Sequence, residues 1–235
     1  MIFRQLFDPE TSTFTYLLAD PENREAVLID PVRERAERDA ALIEQLGLEL
    51  RYLLETHVHA DHVTGSGTLR ERFGAQTVVS VQGGAECADV HVDDGDVLRF
   101  GAHEIEVRAT PGHTAGCVTY VVRDGETTTA FTGDALFVRG SGRTDFQQGD
   151  ARTLYRSVHE KIFSLPDDTR VFPGHDYRGH TMTTVGEEKR YNPRLALDIP
   201  VEAFVAIMDG LGLPNPKRIH EAVPANLACG AEVQA

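Results

Sequence analysis

Two spacings of apolar residues alternate along the chain. Short apolar or β-branched runs, typical of strands, cover residues 15–19, 26–29, 52–54, 77–81, 104–109, 117–122, 127–131 and 170–172. Apolar residues recur with helical spacing over residues 34–46, 62–73, 151–163, 181–190 and 201–209. Gly and Pro clusters separate these segments, so the pattern predicts an α/β protein.

The chain shows no internal repeat, low-complexity segment or flexible linker. Its 235 residues fall within the range of one large domain, so we predict a single domain over residues 1–235. No run of about 20 apolar residues occurs, so we expect no membrane association. The N-terminus lacks a signal-peptide pattern, and a cytoplasmic location is the expectation.

Charge narrows the possible partners. The chain carries 23 Lys plus Arg against 37 Asp plus Glu, a formal net charge of −14. Such an acidic protein is a poor binder of nucleic acids or of anionic membranes, because both repel it. The sequence therefore predicts no nucleic-acid partner.

The cysteines are few and widely separated. Cys87, Cys117 and Cys229 form no Cys-x-x-Cys pair, and an odd, sparse set is typical of a reducing compartment. Cys117 begins an apolar run and is predicted to be buried in the core. Spacing alone assigns no role to Cys229.

Four candidate metal ligands lie within six residues, directly after the strand-like run 51–55: His57, His59, Asp61 and His62. Imidazole and carboxylate are the donors that zinc and iron accept. A single histidine in such a loop is commonly only solvated. Three histidines with an interleaved aspartate favour a metal site.

Three later candidates share one local context. His113, Asp134 and His175 each follow a glycine near the end of an apolar stretch. Glycine permits the tight turns that bring distant segments to one ion. Taken singly, Asp134 is equally compatible with a turn cap, and the two histidines with solvated residues; only their joint pattern favours a metal centre.

Together these residues resemble the signature of the metallo-β-lactamase superfamily, His-x-His-x-Asp-His followed by a distant His, an Asp and a final His. The resemblance implies an αββα sandwich, two mixed β-sheets flanked by helices, with metal at one edge. In the superfamily, one metal uses the positions of His57, His59 and His113. A second uses those of Asp61, His62 and His175, and that of Asp134 bridges the two.

A further run, Arg-Gly-Ser-Gly-Arg-Thr-Asp-Phe-Gln-Gln-Gly at residues 139–149, is similar to the signature of the persulfide dioxygenases. Residues 56–67, 175–177, 192–195 and 222–227 share this familial character, so the resemblance covers nearly the whole chain. It implies one non-haem Fe(II) per chain, held by His57, His113 and Asp134. His59, Asp61, His62 and His175 would then act by hydrogen bonding to the ligands or to water.

The same resemblance implies oxidation of glutathione persulfide by O2 and water to sulfite and glutathione. Arg143 is the first candidate for holding a substrate carboxylate, although an ion pair with Asp145 is the structural alternative. Tyr177 is a second candidate, with a buried core tyrosine as its alternative. Arg178, Lys217 and Arg218 are weaker candidates and are expected to be solvated.

The superfamily signature also fits a glyoxalase-II-like thioester hydrolase with two metals. That family carries a longer C-terminal glutathione-binding region than the sixty or so residues that follow His175 here, which favours the dioxygenase. A binding module without catalysis is disfavoured because no ligand is missing. The resemblance further implies a homodimer and a functional link to a separate rhodanese or sulfide:quinone oxidoreductase.

Overall fold

The first half of the chain forms a six-stranded mixed β-sheet. The computed structural model describes residues 1–231. The strands of this sheet are β1 (Ile2–Asp8), β2 (Thr13–Ala19), β3 (Glu25–Ile29), β4 (Glu49–Leu54), β5 (Gln76–Ser80) and β6 (Val90–Val92), and they follow one another across the sheet in chain order. The first three strands are antiparallel neighbours, whereas β3 to β6 run parallel.

The second half forms a second mixed sheet of the same size. Its strands are β7 (Val97–Phe100), β8 (His103–Ala109), β9 (Val118–Asp124), β10 (Thr127–Gly133), β11 (Arg170–Pro173) and β12 (Thr183–Thr184), in the order β12-β11-β10-β9-β8-β7. Only β10 and β11 are parallel neighbours, because a helical connection joins them.

Helices cover the outer face of each sheet. They are α1 (Ala36–Leu46), α2 (Ser66–Phe73), α3 (Ala151–Ser157), α4 (Val185–Tyr191), α5 (Val201–Asp209) and α6 (Ile219–Leu227); a π-helical turn, Val158–Ile162, extends α3. One apolar core lies between the sheets around Tyr16, Tyr120 and Phe131. Two further cores lie under the helices, so the expected αββα sandwich is confirmed.

All eight predicted strands are present, with ends shifted by a few residues. The helices predicted over residues 62–73 and 181–190 begin only at Ser66 and Val185, so the first turn of each prediction is wrong. Strands β1, β6, β7 and β12 and helix α6 were not predicted. Helix α6 contains Pro224, and a proline in the sequence normally indicates the end of a helix.

Cys87 and Cys229 form a disulfide bond across a sequence separation of 142 residues. Spacing did not predict this pair, and the inference of a reducing compartment from the cysteine pattern loses its support. The prediction for Cys117 is confirmed, since this residue is a buried free thiol. Burial raises the pKa of Cys117 to about 12, so the thiol stays protonated and inert.

No helix within residues 1–231 combines the length and the apolar character that crossing a membrane requires.

Candidate metal centre

The candidate ligands converge at one edge of the sandwich because each follows the end of a strand. His57 lies just beyond β4, His113 beyond β8, Asp134 directly after β10 and His175 after β11. Since β10 and β11 are parallel neighbours, their carboxyl ends place Asp134 beside His175. A backbone hydrogen bond of 2.8 Å from Gly174 to Gly133 fixes that pair of turns.

His57, His113 and Asp134 form a first group of donors. One ligand atom of each lies within 4.8 Å of those of the other two. Nε2 of His113 is 3.5 Å from Oδ2 of Asp134, and the rings of His57 and His113 meet edge to face at 4.9 Å. The three ligands predicted from the resemblance are therefore brought together.

The outer ring nitrogens of both histidines in this group are hydrogen-bonded. Nδ1 of His113 donates to the carbonyl oxygen of Arg143 at 2.6 Å. Nδ1 of His57 lies 3.0 Å from Oγ1 of Thr56, whose own proton goes to Asp30. Both rings are thus placed in the tautomer that leaves Nε2 unprotonated, as a metal ligand requires. Burial, with neighbouring His59 and His113, holds the pKa of His57 well below its ordinary value, which keeps it neutral.

His59, Asp61 and His175 form a second group with the same spacing of donor atoms. Asp134 lies between the two groups, since its Oδ1 is 3.5 Å from Nε2 of His175 and has no hydrogen-bond partner among the described residues. Asp61 also lies 2.8 Å from Nδ1 of His62. All seven predicted residues therefore surround one buried polar centre.

His59 is held from behind by two buried carboxylates. Its Nε2 lies 3.1 Å from Asp30 and 3.4 Å from Glu55. Burial acts to lower the pKa of His59, but the charge of Asp30 and its hydrogen bonds with Asp30 and Glu55 outweigh burial and raise it well above its ordinary value. The two carboxylates therefore fix the orientation of this ring.

Sequence reasoning missed Asp30. This aspartate adopts a left-handed backbone conformation with φ of 50° at the end of β3. Its carboxylate accepts hydrogen bonds from the Thr56 amide at 2.7 Å and the Thr56 hydroxyl at 2.8 Å, which positions the residue before His57. Asp30 follows an apolar run but not a glycine, so it lacks the context that identified Asp134.

Asn226 on α6 is a second residue that the sequence did not identify. Its Oδ1 accepts from the amide of Thr64 at 2.8 Å, and its Nδ2 donates to the carbonyl oxygens of His59 and His62, both at 2.9 Å. One buried side chain therefore holds three points of the ligand loop that follows β4.

A cavity of about 440 Å³ opens onto the centre and is lined by His113, Asp134 and His175. Arg143 also lines it, but its guanidinium forms a bidentate pair with Asp145 at 2.6 and 2.7 Å. It also donates to the carbonyl oxygens of Leu213 and Pro214. The ion pair between Arg143 and Asp145, which the sequence analysis gave as the structural alternative to substrate binding, is thus present in the molecule.

Other polar groups of the cavity are less engaged. Arg178 and Arg194 line its wall, and within residues 1–231 neither guanidinium forms an ion pair. Arg194 donates one hydrogen bond, to the carbonyl oxygen of Ser141 at 3.2 Å. Tyr177 is 71% exposed and stacks on His175 with ring centroids 6.0 Å apart, so it is not a core residue.

The αββα sandwich and a ligand centre built from strand-end loops define the class of protein. The family model described as the metallo-β-lactamase superfamily matches residues 8–175, and the chain belongs to that superfamily. Within it the chain belongs to the family of the persulfide dioxygenases. It is 58% identical over 233 residues to the mitochondrial persulfide dioxygenase ETHE1 of Homo sapiens, with 99% of this chain and 90% of the relative covered.

A solved structure agrees with this placement. The crystal structure of ETHE1 from Myxococcus xanthus superposes with a TM-score of 0.94 at 55% identity, covering 98% of this chain and all of that one. The hydroxyacylglutathione hydrolase GloC of Haemophilus influenzae is 36% identical, over 74% of this chain and 89% of its own length. The hydrolase likeness is therefore both weaker and less complete.

Proposed function

We propose that this protein is an iron-dependent persulfide dioxygenase that converts glutathione persulfide, O2 and water to sulfite and glutathione. The observation that carries the proposal is the 58% identity to a persulfide dioxygenase over 99% of the chain. The grouping of His57, His113 and Asp134 supports it, because two histidines and one carboxylate are the ligand set of non-haem iron oxygenases.

The residues present fit an iron ion. His57 and His113 offer neutral nitrogens. Asp134 presents Oδ2 to His113 at 3.5 Å, and its other oxygen, the buried Oδ1, has no hydrogen-bond partner among the described residues. A buried carboxylate oxygen without a partner is costly unless a cation compensates it. Bound iron supplies the redox chemistry that couples O2 to the persulfide sulfur. We assign one iron per chain to these three residues.

The remaining centre residues are proposed to position ligands and water. Asp30 and Glu55 hold the ring of His59, and Asp61 holds that of His62. His175 lies beside Oδ1 of Asp134 and under the exposed ring of Tyr177, at the wall of the cavity. Of these groups Asp61 and His175 line the cavity, and we propose that they accept and return protons at the substrate sulfur.

Substrate binding requires positive charge, because glutathione carries two carboxylates. Arg143 is committed to Asp145 and to backbone oxygens, so we assign it the role of orienting His113 through its own carbonyl. Arg178 and Arg194, free of ion pairs, are the proposed carboxylate partners in the cavity. Tyr177 is proposed to donate its hydroxyl to the same substrate.

Metal content and oxygen uptake test this proposal directly. We would purify the protein anaerobically with iron, measure bound metals, and follow O2 consumption and sulfite formation after adding glutathione persulfide. About one iron per chain with persulfide-dependent uptake is expected. Stoichiometric iron without O2 uptake would refute it. Two bound metals with hydrolysis of S-lactoylglutathione would favour the hydrolase. The second metal would then lie near Asp61 and His175, which the structure groups with His59.

Location and assembly belong to the same proposal. The human relative is described as mitochondrial, whereas the sequence led us to expect a cytoplasmic protein. We propose a cytoplasmic homodimer that receives persulfide from a separate rhodanese or sulfide:quinone oxidoreductase. Cell fractionation and light scattering of the purified protein test the first two points.

A further inference from the structure

We infer that the Cys87–Cys229 disulfide is a site of thiol–disulfide exchange that controls how firmly α6 holds the metal-binding loop. The disulfide joins the loop before β6 to the residue two positions beyond the end of α6. Asn226, three residues before Cys229, holds the ligand loop by three hydrogen bonds. The bond therefore anchors the segment that positions His59 and His62.

The segment after α6 packs closely on the ligand loop. A Cβ atom at Gly67 would lie 2.9 Å from the carbonyl oxygen of Cys229, and one at Gly230 would lie 2.6 Å from that of Thr64. Cys229 itself lines a small cavity together with His57 and Asn226. A shift of residues 226–230 would therefore directly change the surroundings of His57, the first proposed metal ligand along the chain.

Apart from the disulfide and the hydrogen bonds of Asn226, few interactions hold α6 in place. Its buried apolar contacts comprise a small cluster of Ala222, Ala225 and Val63. Its charged contacts, such as Arg33 with Glu221 and Arg218 with Glu34, lie at the surface. Surface ion pairs contribute little to stability. The disulfide is thus a principal anchor of the helix among the described residues.

A small thiol has access to one sulfur of the bond. Cys87 is partly exposed, whereas Cys229 is 7% exposed. A surface groove of about 590 Å³ runs along the disulfide and is also lined by Gly67 and Arg70. The geometry therefore directs attack to Sγ of Cys87, with Cys229 as the leaving group.

The exchange balances with two low-molecular-weight thiols. The first thiolate attacks Sγ of Cys87, the protein S–S bond breaks, and Cys229 leaves as a thiolate that takes up a proton. A second thiolate attacks the thiol-derived sulfur of the mixed disulfide and releases Cys87. The protein gains two electrons and two protons, and the two thiols become one disulfide. Glutathione, a product of the proposed function, belongs to this class.

Thiol counting tests the bond itself. Protein purified aerobically, then unfolded in the presence of a thiol reagent, is expected to give one thiol per chain from Cys117 and a cross-linked peptide pair containing Cys87 and Cys229. After reduced glutathione, the count should rise to three, with a mixed disulfide at Cys87 as the transient species. Three thiols before reduction, or a bond that glutathione leaves intact, would overturn the inference.

The link to the ligand loop is tested by amide hydrogen exchange on metal-free protein. Reduction should speed exchange in the peptide covering residues 57–67, including the Thr64 amide. Cys87→Ser should exchange at the reduced rate with or without glutathione. Cys117→Ser, which alters the buried free thiol, should retain the full response to reduction. Equal exchange in the oxidised and reduced wild type would refute the link.

Iron release gives the functional measurement and rests on the proposed iron site. In anaerobic protein loaded with Fe(II), reduction should speed transfer of iron to a chelator by about 10-fold, the scale of losing a group that positions a ligand. Asn226→Ala should release iron quickly in both redox states. Unchanged release with a changed exchange pattern would reject control of the metal, whereas failure to load iron would reject the proposed function alone.

Discussion

His113 donates a hydrogen bond from Nδ1 to the carbonyl oxygen of Arg143 over 2.6 Å. This bond joins a metal-ligand candidate to the loop at residues 139–149 that resembles the persulfide dioxygenase signature. The backbone before Arg143 must approach the centre closely, since a Cβ at Gly142 would lie 2.6 Å from the Asp134 carbonyl oxygen and 3.0 Å from Nδ1 of His113. Gly142 therefore avoids a steric clash with both Asp134 and His113, which any larger residue at this position would cause.

Replacing Gly142 with alanine should disturb iron binding without unfolding the protein. The added methyl group would push on Asp134 and His113 together, and we expect iron affinity to fall by about 10-fold or more. Gly140→Ala is the matched control, because its nearest neighbour would be Phe137 Cβ at 3.9 Å. Titration with Fe(II) checks the prediction. Equal affinity in the two variants would contradict it.

Asp134→Ala should remove iron and O2 consumption together. The substitution deletes the only carboxylate in the three-residue group, and we expect iron affinity to fall by more than about 100-fold, beyond the effect of losing a hydrogen-bonded partner. Asp209→Ala, which removes an exposed carboxylate on α5, serves as the control. An active variant at position 134 that retains iron would disprove the ligand assignment.

His59→Ala should lower the turnover rate more than the iron content. In the proposed site this ring does not bind iron. Asp30 and Glu55 hold the ring in place, and the ring in turn positions its neighbours in the centre. We expect a rate loss of about 10-fold with at least half of the iron retained. Metal analysis and oxygen electrode rates on the same sample check this. Complete loss of iron would move His59 among the ligands.

Arg178→Ala and Arg194→Ala should raise the KM for glutathione persulfide. Each variant removes a cation from the cavity wall, and a charged hydrogen bond is worth about 1.5–3 kcal/mol, or roughly a tenfold change or more in KM. Arg99→Ala is the control, since Arg99 is exposed and pairs with Glu104 away from the cavity. An unchanged KM in both cavity variants would return the substrate contact to Arg143 or Tyr177.

Asp39→Asn should stabilise the protein at neutral pH. Burial raises the pKa of Asp39 from 3.8 to about 6, despite its pairing with Arg38, and its Oδ2 has no partner among the described residues. A raised pKa means that stability is present at low pH and is lost as the pH rises through about 4 to 6. We expect a gain of about 1–3 kcal/mol near pH 8 and much less near pH 4.

Urea unfolding of wild type and variant at both pH values measures this difference. Asp168→Asn, at a turn before β11, offers a control carboxylate for which no such gain is expected. A gain of equal size at the two pH values would mean that the buried charge of Asp39 is not its cause.

The loop ligands could be read from the sequence because their chemistry and their spacing are local. Four of them lie within six residues of one another: His57, His59, Asp61 and His62. Each of the later candidates follows a glycine. The partners of these residues could not be read in this way. Asp30 lies 29 residues before His59 and Asn226 lies 167 residues after it, and only the packing of the sheets and of α6 joins them.

One interpretation failed for an identifiable reason, and a second, the role of Arg143, is still a prediction. The apolar spacing that predicted helix from residue 62 includes Val63, which is buried against α6 and does not belong to a helix. Arg143 carries the charge that a substrate carboxylate needs, but a sequence cannot decide between a substrate and an aspartate two residues away. The structure places that aspartate in bidentate contact, and the free cations come from Arg178 and Arg194.

The three proposed iron ligands come from different sheets: His57 follows the first, whereas His113 and Asp134 follow the second. With iron held by all three, the ion ties the halves of the sandwich together only in the folded state. Iron at 100 times its dissociation constant would then add about 2.7 kcal/mol to the free energy of unfolding. The supply of iron would thus set the stability of the folded protein as well as its catalytic activity.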